Sequence, residues 1–409
     1  MTTQLWLTLN LAWRNLRRNA RRTLLSLGII ALGTAMSYAV RGYVDDALFN
    51  IRNGTVQQFG NFQIASPLLF DNEAEGYEYL IDPQTVERVL AVLNDHPEVV
   101  DAAAELNFTA LASFGRRAKV LRATATRPGN AALDYNALVT AGRGLVPEDV
   151  GAVLVGRSLV EERALAPGDA FRINVSTVDG AFNVGQLEVA GVFELNSAQF
   201  EGQLIFVPLG YAQALLNTDG VGKLIVSLDA LAATDRVAGA VRDALAAAGL
   251  GLDVRTWDEL SDFYQTITGF FNALFLFLTL SISVLVFFIV LQVLTLSFLE
   301  RVREVGTVRA IGARAGQVFA TFVCEGALLG AVGAALGLAL GGLMALGFNA
   351  LEVGWRPPGA IDPVPVRLAL GPLNAVVPFA VSALATLASA VYPALTSARR
   401  SIVGALGSN

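Results

Sequence analysis

One histidine and one cysteine stand in 409 residues, His96 in a polar stretch and Cys324 inside an apolar run. Zinc would need a His/Cys cluster, and a nucleophilic triad would need a His near a Ser or Cys; neither arrangement is available. No catalytic residue and no metal ligand is therefore assigned. The side chains left to act are charges, and they gather in Glu300–Ala313, E-R-V-R-E-V-G-T-V-R-A-I-G-A. Val302, Val305, Val308 and Ile311 recur every third residue, which predicts a short helix with one apolar face. Glu300, Arg301, Arg303, Glu304 and Arg309 fill other positions, and Gly312 is a C-terminal stop. Such a helix can lie at a membrane face and dock into a groove on a partner. From periodicity alone, a basic loop that only fixes topology reads equally well.

Long apolar runs flank this segment. Phe263–Leu299 is uncharged for 37 residues, and Gly326–Leu351 follows Glu325. With Thr23–Val40 and Leu373–Ala394 there are four runs near the ~20 residues that cross a bilayer. The chain is 54% hydrophobic and 16% charged, with mean hydropathy +0.53. Residues 42–262 hold 15 Lys/Arg and 30 Asp/Glu, a net −15 against −6 for the whole chain, so the remainder carries +9. That excess sits at Arg14, Arg17, Arg18, Arg21 and Arg22, in the Glu300–Arg314 loop, and at Arg399 and Arg400. The positive-inside rule makes these segments cytoplasmic. The acidic block then faces outward, and nucleic acid is not its partner.

The elements that position the loop follow in order. Residues 4–22 combine Leu5, Trp6, Leu9, Trp13 and Leu16 with five arginines, the pattern of an amphipathic helix among inner-leaflet headgroups. Thr23–Val40 is read as a retained span, because no small-x-small cleavage site follows, and its helix is expected to continue to about Gln57. In the outer block, strands are expected at Asn61–Ala65, Val99–Leu111, Lys119–Thr126, Ala152–Val155, Ala170–Val178, Phe182–Phe193 and Leu204–Val207. Helices are expected at Pro83–Asn94 (with Asp82 as cap), Ser158–Ala164 and Tyr211–Leu216. A strand–helix–strand unit closes the block: Lys223–Leu228, Ala233–Ala248 and Leu252–Thr256. Gly326, Gly330, Gly333, Gly337 and Gly341 give the third span a small-residue face for close helix approach. Glu325, near its cytoplasmic end, is expected to snorkel or to pair with an arginine of the neighbouring loop.

The fold class is therefore an α-helical membrane protein with four transmembrane helices and a large α+β extracytoplasmic domain between the first and second helices. Its expected segments are the amphipathic helix 1–22, first span 23–41, outer domain 42–262, stalk and second span 263–299, and loop 300–316. The third span 317–351, outer loop 352–371, fourth span 372–396 and cytoplasmic tail 397–409 complete it.

Three stretches carry a resemblance: Leu11–Leu25 (L-A-W-R-N-L-R-R-N-A-R-R-T-L-L), Val153–Asp169 (V-L-V-G-R-S-L-V-E-E-R-A-L-A-P-G-D), and Glu300–Ala313 followed by E-G-A-L-L-G at Glu325–Gly330. Together with the layout, they resemble ATP-binding-cassette permeases of the MacB/FtsX/LolC–LolE group. In that family Glu300–Ala313 corresponds to the coupling helix that seats on the ATPase. The sequence holds no G-x-x-x-x-G-K-[ST] phosphate loop, so ATP and Mg²⁺ are expected in a partner subunit, not as cofactors here. The resemblance implies two ATPase subunits and a second permease, identical or homologous, in a bacterial inner membrane with both termini cytoplasmic. It also implies extraction of lipoproteins or lipids, with a periplasmic carrier or adaptor. Acyl chains would then lie between the first two spans, at Leu27, Ile30, Phe275, Leu278 and Ile282. E-R-V-R-E-V-G-T is closer to the MacB-like pattern, which keeps efflux by mechanotransmission open. FtsX-like signalling to a cell-wall hydrolase is the third reading.

Overall fold

A computed structural model describes residues 2–18, 20–74, 76–129, 134–195, 198–356 and 363–399. The expected tail from Arg400 onward and residues 357–362 of the expected outer loop lie outside the described residues. The chain divides into two compact units: residues 1–50, 267–355 and 365–409 form one, and residues 51–266 and 356–364 the other.

The first two helices are α1 (Thr2–Arg18) and α2 (Ala20–Phe59). Residue 19, within the expected helix over 4–22, lies outside the described residues, and Arg21 and Arg22 belong to α2. In the second unit β1 (Phe62–Ala65) leads into α3 (Pro67–Phe70), which Ser66 caps, and α4 (Pro83–Asn94) follows with Asp82 accepting from the Thr85 N–H. Next come β2 (Val99–Phe114), β3 (Arg117–Thr126), β4 (Val139–Gly142), β5 (Ala152–Gly156), α5 (Arg157–Arg163), β6 (Ala170–Ser176) and β7 (Phe182–Phe193). The unit continues through α6 (Ala198–Glu201), β8 (Leu204–Pro208), α7 (Leu209–Leu216), β9 (Lys223–Leu228), α8 (Thr234–Ala247), β10 (Asp253–Thr256) and α9 (Trp257–Leu260). Four helices close the chain: α10 (Asp262–Glu300), α11 (Val302–Ala310), α12 (Ala315–Asn349) and α13 (Pro372–Arg399).

The described strands of the second unit form one ten-stranded sheet, ordered β10-β1-β9-β2-β3-β8-β5-β7-β4, with β6 bridging β2 and β7. β2 organises it. Its first half pairs with β9 up to Glu105, and its second half pairs with β3 from Glu105 to Phe114. Gly115, at φ +60°, turns the chain tightly, so both strands run further than the expected Leu111 and Lys119 ends. Alternate β2 residues Leu106, Phe108, Ala110 and Ala112 point into a core with Leu121, Val153, Ile173, Leu187 and Ile205. A second core sets Phe62, Ile64, Leu224 and Val226 against Val89 and Leu93 of α4 and Val237, Val241 and Leu245 of α8. Each fully buried Leu or Ile contributes roughly 1.5–3 kcal/mol. The terminal strand–helix–strand unit is present, but β9 and β10 do not pair with each other. β1 lies between them, antiparallel to both.

Glu201 is fully buried in this unit, and among the described residues no Lys, Arg or His forms an ion pair with it. Its carboxylate accepts from the Ser158 N–H (2.6 Å) and hydroxyl (2.9 Å) and from the Leu195 N–H (2.7 Å). Glu201→Ala strands buried donors at the start of α5, so it should cost at least about 2 kcal/mol. Thermal unfolding of the purified chain checks this, and an unchanged midpoint would contradict it.

In the first unit α2, α10, α12 and the Pro372–Thr396 part of α13 are long and apolar enough to cross a membrane. Their shared core sets Ile30 against Val286, Val290, Leu294, Leu329 and Ala390.

Candidate functional site

Helix α11 is the structured core of Glu300–Ala313. Arg301 interrupts the helical path between α10 and α11, and Gly312, at φ +113°, turns the chain toward α12. Val302 is buried with Phe298, Val318, Phe322 and Ala394, and Val305 packs on the same cluster. Gly306 is also buried, one turn on from Val302. The expected single apolar face is corrected here: Val308 is 52% and Ile311 83% exposed. A helix turns about 100° per residue, so steps of three drift, and Val302 and Ile311 end on opposite sides. One valine pair anchors the helix to its own bundle. The other apolar pair faces away from it.

The charges divide as well. Arg18 of α1 holds both oxygens of Glu304 at 2.6 Å, and Arg22 of α2 pairs with Glu300. Arg301 reaches Glu325 of α12 at 3.2 and 3.3 Å and lies over the Phe322 ring at 5.6 Å. The Asn15 amide donates to Glu325 at 2.7 Å. Glu325 therefore takes the arginine-paired alternative. Glu300, Arg301 and Glu304 are spent on intramolecular contacts; Arg303 is exposed and Arg309 half-buried.

Both Arg18 and Glu304 are about half exposed, so their pair is worth roughly 0.2–1 kcal/mol. The hydrogen bond from Arg18, before any other cause, holds the Glu304 carboxyl below its ordinary range. A depressed carboxylate keeps its pairing in full above its ordinary pKa of ~4.3 and loses it only as pH falls through the lowered value. Spin labels at residues 17 and 307 should accordingly keep one separation between pH 7.5 and 5.5. A change inside that window would contradict the assignment.

The glycine stripe of α12 serves two neighbours. Gly326 sits against Ala390 of α13, and a Cβ on Gly330 would lie 3.0 Å from the Ala383 carbonyl. Gly333, Gly337 and Gly341 instead meet α2 at Ile30, at Ala31 and Thr34, and at Ala35 and Tyr38. Gly326 and Gly330 belong to one four-residue series and Gly333, Gly337 and Gly341 to another, offset by one residue. That offset turns the small face by about 100° toward a different helix.

Of the expected acyl-chain residues, Ile30 is fully buried, and Leu27 and Ile282 pack on the same cluster. In this conformation these three join helices and do not line an opening. Phe275 is buried beneath the Arg41 guanidinium, 5.2 Å from its ring centre, and Leu278 is half-buried. Asn15, Arg18 and Arg22 are site residues that the sequence reading did not connect to the loop.

The sequence matches the family model of the FtsX-like permease C-terminal region over residues 274–402, and that of the MacB-like periplasmic core domain over residues 23–244. It is 32% identical over 157 residues to the macrolide export ATP-binding/permease protein MacB of Escherichia coli K12, covering 38% of this chain and 22% of that protein. The MacB protein of Shigella flexneri is 37% identical over 107 residues, covering 25% and 16%. The aligned part thus spans about a fifth of the curated relatives' length. Among solved structures, the periplasmic region of MacB from Actinobacillus actinomycetemcomitans aligns with 51% of this chain and 93% of its own, at 11% identity and TM-score 0.36. The extracellular domain of the ABC-type transporter YknZ aligns with 43% and 90%, at 15% identity and TM-score 0.33.

Proposed function

Because the chain belongs to the MacB/FtsX family of ATP-binding-cassette permeases, we propose that it couples ATP hydrolysis by a separate ATPase to movement of its α+β domain. The observation that carries this reading is α11, fixed to its bundle through Val302 and Val305 while Val308 and Ile311 face outward. Burying such exposed apolar side chains against a partner is favourable by about 1.5–3 kcal/mol each. The four long apolar helices sit in a bacterial inner membrane, with both termini and α11 on the cytoplasmic side and the acidic domain outside. Two ATPases, holding ATP and Mg²⁺, bind two permease chains. α10, at 39 residues, would be about 58 Å long and reach beyond a ~30 Å hydrocarbon core. Displacement of α11 can thereby reach the outer domain. ATP biases that domain only through contacts that differ between its two states.

The cargo reading has two branches. Release of lipoproteins or lipids to a periplasmic carrier follows from the family resemblance, with the first two spans opening at Leu27, Ile30, Phe275, Leu278 and Ile282. MacB-like export is favoured equally by the matched relatives. Native mass spectrometry of the complex separates them: a bound acylated protein or lipid supports release, and its absence beside drug- or peptide-stimulated hydrolysis supports export. Co-purification with the ATP-binding-cassette ATPase encoded nearest this chain tests the common premise, and failure to bind it would refute the reading.

A further inference from the structure

Glu325 is an ionisable side chain in a helix long enough to span a membrane, and docking on an ATPase makes no use of it. Its side chain is only 5% exposed. Three elements converge on this carboxylate: α1 through Asn15, the junction before α11 through Arg301, and α12, which carries Glu325 itself. Beside it lies a small cavity of about 20 Å³, room for a water, lined in part by Asn15, Arg22, Ser26, Ser297 and Arg301. Ser26 is 1% exposed. Two outer contacts, Arg18 with Glu304 and Arg22 with Glu300, continue the same seam. The last turn of α1, through Asn15 and Arg18, and the start of α2, through Arg22, are thus fastened to the coupling segment and its buried carboxylate.

We propose that Glu325 is a positioning residue that locks α1 to the coupling segment, making α1 move with α11 as one body when the ATPases close. The inference rests on the proposed docking of α11. Exposed pairs alone would slip, since each is weak and screened by salt. The buried Arg301–Glu325 pair fixes the carboxylate to the coupling segment, because separating it leaves an uncompensated charge away from water. Glu325 also holds Asn15, so α1 and Arg301 share one anchor.

The same physics supplies the test. Glu325→Gln alone strands Arg301 and risks misfolding, whereas replacing both partners with neutral groups of similar volume is commonly tolerated. R301M/E325M, which removes both charges and the acceptor for Asn15, is therefore reconstituted in a Cys324→Ser background with the ATPase in lipid nanodiscs, with spin labels at residues 17 and 307. The expected result is normal assembly and basal hydrolysis. The label separation should stay single on ATP–vanadate trapping in the unsubstituted chain and broaden in the double variant. Coupled stimulation of hydrolysis should fall roughly 2- to 30-fold. Unchanged label distances and full coupling in the double variant would overturn the inference alone. An unsubstituted chain that binds no ATPase would overturn the docking reading and the inference together.

Discussion

Ile311→Asp should sharply weaken binding of the ATPase while leaving the permease folded. Ile311 is 83% exposed and stands outside the Phe298–Val302–Phe322 cluster, so the substitution removes little from the chain's own packing. Surface changes of this type shift stability by about ±0.5 kcal/mol. Burying an aspartate in an apolar groove instead loses an anchor worth about 2–4 kcal/mol, or roughly 30- to 1,000-fold in affinity. Val302→Asp is the matching control. Val302 is 5% exposed, so its replacement should unfold the α11 end of the bundle and lower the yield of folded protein. Charge reversal at Glu304 or Arg301 would report on Arg18 and Glu325, not on docking. Affinity of detergent-solubilised variants for the ATPase, measured with thermal unfolding in parallel, separates the two outcomes. An Ile311→Asp chain that binds normally would remove the docking face from the account.

Gly337→Leu should destabilise the helix unit more than any single loss of an exposed ion pair. A Cβ at Gly337 would already lie 2.6 Å from the Ala31 carbonyl oxygen, and backbone cannot yield as a flexible side chain can. Overpacking of this kind costs about 1–3 kcal/mol, and the remaining leucine atoms push the estimate to the upper end. Gly342→Ala supplies the contrast, because no atom lies within 4 Å of its Cβ position. It should be neutral or stabilise by up to about 1 kcal/mol, alanine being the better helix former. Thermal unfolding in one detergent compares both, and equal midpoints would show that α2 and α12 do not depend on this contact.

Local features were legible where spacing alone decides them. Asp82-Pro83 marked the start of α4, and the four-residue glycine series a close-packed helix face. What the sequence did not yield was phase and partner. Val302, Val305, Val308 and Ile311 read as a stripe, yet a three-residue period precesses on a helix of 3.6 residues per turn, and the stripe divides between anchor and exposed face. The one-residue offset between Gly330 and Gly333 was visible, but not that it redirects α12 from α13 to α2. Contacts such as Asn15 with Glu325 and Arg18 with Glu304 join positions separated by 310 and 286 residues. Nothing in either local sequence selects the other; the bundle brings them together. Tyr135–Leu138 and β4 were missed for another reason. Each is only four residues long and shows no clear period, and β4 is ordered by pairing with β7.

Site-specific photo-cross-linking from residue 311 in intact membranes tests the central claim most directly. A photoreactive amino acid at 311, with a second at exposed Phe182 of the α+β domain as reference, samples what each face meets without assuming a partner. The account predicts a covalent adduct between position 311 and an ATP-binding-cassette ATPase, strengthened by ATP and absent from position 182. Adducts from 311 confined to lipid or to this chain itself, under conditions where the complex hydrolyses ATP, would contradict it.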